Sequence, residues 1–253
     1  MSKKTLFSII IFIMSVWAFL FYASKSQTIV TTISAPIIKN KIEVAVSSST
    51  PTKAVITTSL EKKKILNVPF VSEAPDHNWV SPWMNACEEA SITMVYAYYN
   101  EKNNITVAEQ KDFMKILFSM QNKLYGSNAN SNAERSNYLI NNYASFSGHV
   151  VNNPTIEDIK KEIANNHPVI TFHYGFDLKN PNIPFLSTGT SYHSTVVTGY
   201  DDTKNVFIVN DSGDDVDGKN HEYSYSLYIN SLHDYNFKTN KADGPPRVIF
   251  TSK

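Results

Sequence analysis

The chain has 253 residues, 42% of them hydrophobic and with 14 Tyr and 14 Phe, enough apolar mass to build a core in one or two domains. Lys plus Arg and Asp plus Glu balance at 23 each, so the net charge is zero and the basic footprint that nucleic acid requires is missing. The single cysteine, Cys87, excludes an intramolecular disulfide, so an exported domain must fold on its core alone.

Lys3 and Lys4 precede Leu6–Ala23, LFSIIIFIMSVWAFLFYA, which carries no charge. A basic start before an apolar run marks an export signal, and this run approaches the roughly 20 residues that span a bilayer. No clean small-x-small cleavage site follows it. Residues 1–23 therefore read as an uncleaved signal-anchor, with a cleaved signal peptide as the alternative. Lys3 and Lys4 put the short N-terminal side in the cytoplasm and the remainder outside. Residues 24–64, rich in Ser, Thr, Lys and Val, hold no lasting period and read as a flexible stalk. Residues 65–253 read as the folded domain, membrane-anchored and extracytoplasmic, or secreted if the segment is cleaved.

Ile65–Val71 is apolar and β-branched, an extended start. Glu73–Asn85 carries Pro75, Pro82, Trp79 and Trp83, an ordered loop whose indoles need packing partners. A helix then opens at Cys87, with Glu88 and Glu89 in its first turn, where the macrodipole favours them. Ala90, Met94 and Ala97 recur with Cys87 at helical spacing and aim the thiol at the core. Thr106 and Glu109 form a capping box that starts a second helix reaching about Met120. Asn132–Tyr143 and Ile156–Asn165 read as further helices, the last stopped by Pro168. Val169–His173 is then a strand, and Phe176–Gly189 a loop. Ser194–Tyr200 and Asn205–Val209 form a hairpin about Asp201–Lys204, and Arg247–Thr251 is a final strand. Helices first and an antiparallel sheet later make an α+β domain.

A lone thiol at a loop-to-helix boundary has two readings. It is a small buried hydrophobe, or it is a nucleophile whose pKa the helix N-terminus lowers. A nucleophile needs a base, and the base an orienting group. If the hairpin closes near Thr203, His193 and Asp211 meet at one sheet end, so Asp211 can hold one imidazole nitrogen while the other faces Cys87. Each residue alone also has a structural reading, His193 at a strand start and Asp211 as a turn former in Asn-Asp-Ser-Gly. The order Cys, His, Asp, with the thiol at a helix start and the other two on adjacent strands, is that of papain-like chemistry.

The blocks NVPFVSEAPDHNW, ACEEAS, HPVITFHYG, NPNIPF, YHSTVVTGYDD, FIVNDSG and YSYSLYINSLHDYN resemble the C39-like cysteine peptidases, relatives of the bacteriocin-leader peptidases, over roughly residues 67–249. The resemblance implies a papain-like fold with Cys87 as nucleophile, His193 as general base and acid, and Asp211 as its orienter. It also implies that the Cys87 N–H and the side chain at position 73 form the oxyanion hole. There the family usually has Gln and this chain has Glu73. An ionised Glu73 donates nothing and repels an oxyanion. A protonated Glu73, or a donor such as Asn78 or Asn85, would restore the site, and a domain that binds peptides without cutting them is the alternative.

His77 and Trp79, just before Cys87, are candidates for lining a peptide groove. Asp211, Asp214, Asp215 and Asp217 fail the EF-hand pattern, because the turn-glycine position holds Val216. Zinc lacks both a His-x₃₋₅-His pair on one helix and a second Cys. His167 and His173 read as structural, and His233 has no assigned chemistry. No metal or cofactor is expected. The expected partners are a peptide or protein substrate and the membrane, and the expected activity is thiol-dependent peptide hydrolysis, with an amidase or transferase acting on wall peptides as a weaker reading.

Overall fold

The computed structural model describes residues 60–183 and 192–253. The expected membrane segment and most of the expected stalk lie outside the described residues. Among the described residues no helix is long and apolar enough to cross a membrane.

The first half is helical. A 3-10 turn at Trp83–Asn85 leads into α1, Cys87–Tyr99. This helix is not a one-sided amphipath. Cys87, Glu88, Glu89, Ala90, Ser91, Ile92, Thr93, Met94, Val95 and Ala97 are all buried, so a single apolar stripe describes it too narrowly. A helix enclosed on every side is a central one. Two others start where their sequences say they should. Thr106 and Glu109 close a reciprocal capping box on α2, Val107–Tyr125, which ends at Gly126 with φ 73°. The Asn132 side chain caps α3, Ala133–Tyr143, and Thr155 with Asp158 caps α4, Ile156–Ala164.

Among the described residues seven strands, most of them from the second half, form an antiparallel sheet. Its members are β1 (Lys63–Ile65), β2 (Ser147–Asn152), β3 (Val169–Tyr174), β4 (Tyr192–Asp201), β5 (Val206–Asn210), β6 (His221–Ser224) and β7 (Arg247–Ser252). Their order is β2-β7-β3-β4-β5-β6, with β1 paired to the far end of β4. Two short helices complete the fold, α5 (Gly175–Leu178) within the expected loop and α6 (Tyr225–Asn230). Every residue of β4 is buried, as expected of a strand with neighbours on both edges and helices on a face. α1 packs against β4, and that contact sets the thiol beside the sheet.

Several elements escape the sequence pattern, among them β1, β2 and α5. β2 reads SGHVVN and alternates weakly, and its register comes from pairing along β7, Ser147 opposite Ser252 through Asn152 opposite Arg247. α5 is a single turn. β1 begins at Lys63, inside the stretch read as stalk, and Lys64 faces Tyr200 across the ladder. The stalk reading rested on composition, whereas the strand depends on an open edge of β4. Gly199 makes that approach possible, since a Cβ there would lie 2.5 Å from the Lys64 carbonyl oxygen. Gly199→Ala should therefore loosen β1, with a cost of roughly 1–3 kcal/mol typical of overpacking. A lower Tm, with new proteolytic cleavage before Leu66, checks this.

Candidate active site

Cys87 is the first residue of α1 and is 4% exposed. His193 is the second residue of β4, and Asp211 directly follows β5. The ladder pairs Val196 with Asn210 and so brings both to one sheet end. His193 Nε2 lies 2.7 Å from Asp211 Oδ1, with both side chains fully buried. Asp211 is held from other directions as well. The Tyr223 hydroxyl donates to Oδ2 at 2.5 Å, and the Gly213 N–H to Oδ1 at 3.2 Å. Burial raises the Asp211 pKa, but the His193 charge and hydrogen bond, with those donors, outweigh it and keep the carboxyl below its ordinary value.

Glu73 completes the group. Its N–H donates to the Ser212 carbonyl at 3.0 Å, which ties the loop before α1 to the loop after β5. Its side chain is turned inward, and Oε1 makes no hydrogen bond. One ligand atom each from Glu73, Cys87 and His193 lie within 4.8 Å of one another. The expected thiol, imidazole and residue-73 side chain therefore converge. Burial raises the Glu73 carboxyl well above its ordinary pKa, and Asp211, Glu88, Asp215 and Glu89 push the same way. The neutral acid is the favoured form, and a neutral carboxyl carries a proton it can donate.

The thiol departs from expectation. A helix N-terminus should lower its pKa, yet burial and the neighbouring Glu88 and Glu73 raise it well above the ordinary value, and the Ser194 backbone opposes them only in part. The Cys87 thiol donates to Glu88 Oε2 at 3.1 Å. Glu88 Oε1 accepts the Ser131 N–H at 2.6 Å. Burial raises Glu88 to about 7 against the lowering effect of those two donors. Next to it, Glu89 Oε1 accepts a hydrogen bond from the Gln121 amide, and the Ser131 hydroxyl donates to the Gln121 Oε1 at 2.6 Å. Glu88 is the residue that sequence reasoning missed. It reads there as a helix-dipole partner, and the Cys-Glu-Glu spacing contains no sign that all three side chains are enclosed. Tyr223 was missed for a related reason, since a tyrosine gives no sequence cue that it reaches a distant aspartate.

Other expectations fall outside this cluster. His77 is exposed and pairs through Nδ1 with Asp215 Oδ2 at 3.1 Å. Trp79 is half-buried, Asn78 exposed and Asn85 half-buried. Trp83 is a packing anchor, edge-on to Phe118 at 5.4 Å. The acidic loop divides its carboxyls among separate partners: Asp211 on His193, Asp214 on Asn180 and Asn182, and Asp215 on Ser72 and His77. His173, opposite His193 in the β3–β4 ladder, is buried between the Ser231 and Thr171 hydroxyls at 2.8 Å each, with its pKa lowered by burial. A cavity of about 500 Å³ lined by Asn67, Tyr98, Lys102, Asn165 and His167 contains none of Glu73, Cys87, His193 and Asp211.

Residues 65–240 match the family described as Peptidase_C39 like. The chain belongs to that family. A search of the curated proteins finds no match. Among solved structures, the chain is similar to a Bacillus anthracis protein assigned as a C39-like peptidase. The two are 15% identical with a TM-score of 0.51, and the likeness covers 76% of this chain and 98% of the other. At that identity the likeness shows the fold: this C39-like domain has a cysteine-peptidase-type architecture of mixed helices and antiparallel sheet.

Two outcomes follow from the site's electrostatics. Glu88→Gln removes a negative charge and an acceptor beside the thiol, so Cys87 alkylation by iodoacetamide near neutral pH should speed up by up to about tenfold, the thiolate gained over one pKa unit. An unchanged rate across a pH series would show that Glu88 does not restrain the thiol. Glu73 is neutral in the fold over a pH range where the unfolded chain ionises it. Its contribution is therefore intact below the ordinary carboxylate pKa and declines as pH rises towards the folded value. Glu73→Gln should raise Tm more at neutral pH than at pH 4, by roughly 2–4 °C for each kcal/mol recovered.

Proposed function

We propose that this C39-like protein is a membrane-anchored, extracytoplasmic cysteine peptidase that hydrolyses peptide bonds with Cys87, His193 and Asp211. The observation that carries the reading is the buried 2.7 Å His193–Asp211 hydrogen bond, together with a thiol and an inward-turned Glu73 within 4.8 Å of that imidazole. With Nε2 engaged by Asp211, Nδ1 is the nitrogen that serves the thiol. The Cys87 proton passes to it as sulfur attacks the scissile carbonyl. The new C–S bond puts negative charge on the carbonyl oxygen. The Cys87 N–H, among the free donors of the first helical turn, receives that charge along with the protonated Glu73 carboxyl. The C–N bond then breaks and His193 protonates the leaving amine. Water hydrolyses the resulting thioester with His193 as base. The raised thiol pKa supports proton transfer concerted with attack rather than a resting thiolate–imidazolium pair. The basic N-terminus and the uncharged run Leu6–Ala23 support the anchored placement.

The hydrogen bond from the thiol to Glu88 favours a second reading, a non-catalytic peptide- or wall-binding module on the same fold. Assay of a peptide library separates the two. On the peptidase reading Cys87→Ala abolishes cleavage and Asp211→Asn slows it on the order of 10²–10⁴-fold. The rate of the wild type falls with rising pH as Glu73 ionises, and Glu73→Gln removes that limb. Cleavage that survives Cys87→Ala ends the proposal. An inert wild type that still binds peptides, with binding unchanged in Cys87→Ala, establishes the module instead.

A further inference from the structure

The Glu73–Cys87–His193 trio offers a thiolate, an imidazole and a carboxylate from the loop before α1, the start of α1 and the start of β4. We propose that these side chains form a binding site for a zinc ion, with the bound ion occupying the thiol and preventing its reaction. The binding itself stands apart from peptidase activity; only its inhibitory consequence rests on that reading.

Three observations support this assignment. The ligand atoms lie within 4.8 Å of one another. Tetrahedral zinc with bonds of about 2.0–2.3 Å holds its donors roughly 3.3–3.8 Å apart, so a closure of about 1 Å seats the ion. Glu73 Oε1 is enclosed and without a hydrogen bond, one oxygen of that carboxyl is among the clustered ligand atoms, and an acceptor in that condition gains most from a cation. The charge also closes. Zinc with Cys87 as thiolate, Glu73 as carboxylate and His193 neutral sums to zero, and a neutral complex is the one a dry site tolerates. Binding replaces one proton on Cys87 and one on Glu73. With Gln at position 73, the usual residue of the resemblance, the same site would hold a net positive charge and have one ligand fewer. The substitution that weakens an oxyanion hole thus supplies a metal ligand. The donor types suit a borderline-soft ion and not magnesium or calcium. Sequence spacing rules miss the site because its ligands come from separate elements and follow no His-x₃₋₅-His or Cys-x₂-Cys pattern.

The test uses the purified protein with Co²⁺ as a spectroscopic probe and Zn²⁺ as competitor near neutral pH. The expected result is a thiolate-to-cobalt charge-transfer band at one equivalent. Zinc should abolish the band and also protect Cys87 from iodoacetamide. Glu73→Gln should weaken zinc binding by about 100-fold or more, since loss of even an outer-sphere partner costs roughly 10–100-fold. Circular dichroism of that variant shows whether it is folded, and His193→Gln gives a second ligand deletion with the same expectation. No charge-transfer band, no protection of Cys87, or undiminished binding in folded Glu73→Gln would overturn the assignment. Zinc bound equally well by Cys87→Ser would place the ion at surface histidines such as His77 and would also overturn it. Failure of the peptidase reading would leave the cobalt band and the protection unchanged.

Discussion

A thiol, an imidazole and the carboxyls of Glu73, Glu88 and Glu89 occupy one dry space where α1 meets β4. Exclusion of water is the constraint on which the rest of the site depends. In such a space a charge persists only where hydrogen bonds or an opposite charge replace its hydration. Asp211 meets that condition, with His193, Tyr223 and the Gly213 N–H around it, and it stays below its ordinary pKa. Glu73 does not, and burial raises its pKa well above the ordinary value. Glu88 lies between them, raised to about 7 with the Ser131 N–H and the Cys87 thiol as its donors. Carboxyl groups within one site are thus pushed in opposite directions because their neighbours differ.

The scaffold supplies those neighbours with little freedom. β4 is buried along its whole length and carries His193, while β5 delivers Asp211 through the antiparallel register. Behind His193, the His173, Thr171, Thr195 and Tyr228 side chains form a closed set of hydrogen bonds, with the Thr195 and Tyr228 oxygens 2.6 Å apart. A satisfied buried network of this kind fixes the rotamers of its own members beside His193. On the opposite side, Gln121 from α2 and Ser131 from the turn before α3 reach the two acids of the first helical turn. The surroundings of Cys87 are therefore assembled from α1, α2, the loop ahead of α3 and the sheet.

Glu73 links the two roles proposed for the site. Its inward, unsatisfied oxygen is an acceptor when ionised, and its carboxyl is a donor when protonated. The protonated form serves an oxyanion, and the ionised form serves a cation. These uses exclude each other in time but not in structure. A site built on Gln would have the first alone, since a neutral amide cannot balance a metal's charge.

Much of the domain was legible in the residues. Capping boxes at Thr106 and Thr155 are local hydrogen-bonding patterns, and they mark helix starts that the fold keeps. The hairpin between β4 and β5 was readable from its turn, and with it the meeting of His193 and Asp211, because a short antiparallel turn dictates register. β1 and β2 were not readable, since KKI and SGHVVN become strands only against the edges of β4 and β7. The raised thiol pKa was hidden for the same kind of reason. Chain order and local chemistry singled out the residues proposed as nucleophile, base and orienter, because that choice depends on side-chain type and on pairings a few residues long. Tertiary packing decided the raised pKa of Cys87, the lowered pKa of Asp211, the hold of Glu88 on the thiol and the convergence of Glu73, because desolvation and its compensating partners are imposed by neighbours that arrive from distant parts of the chain.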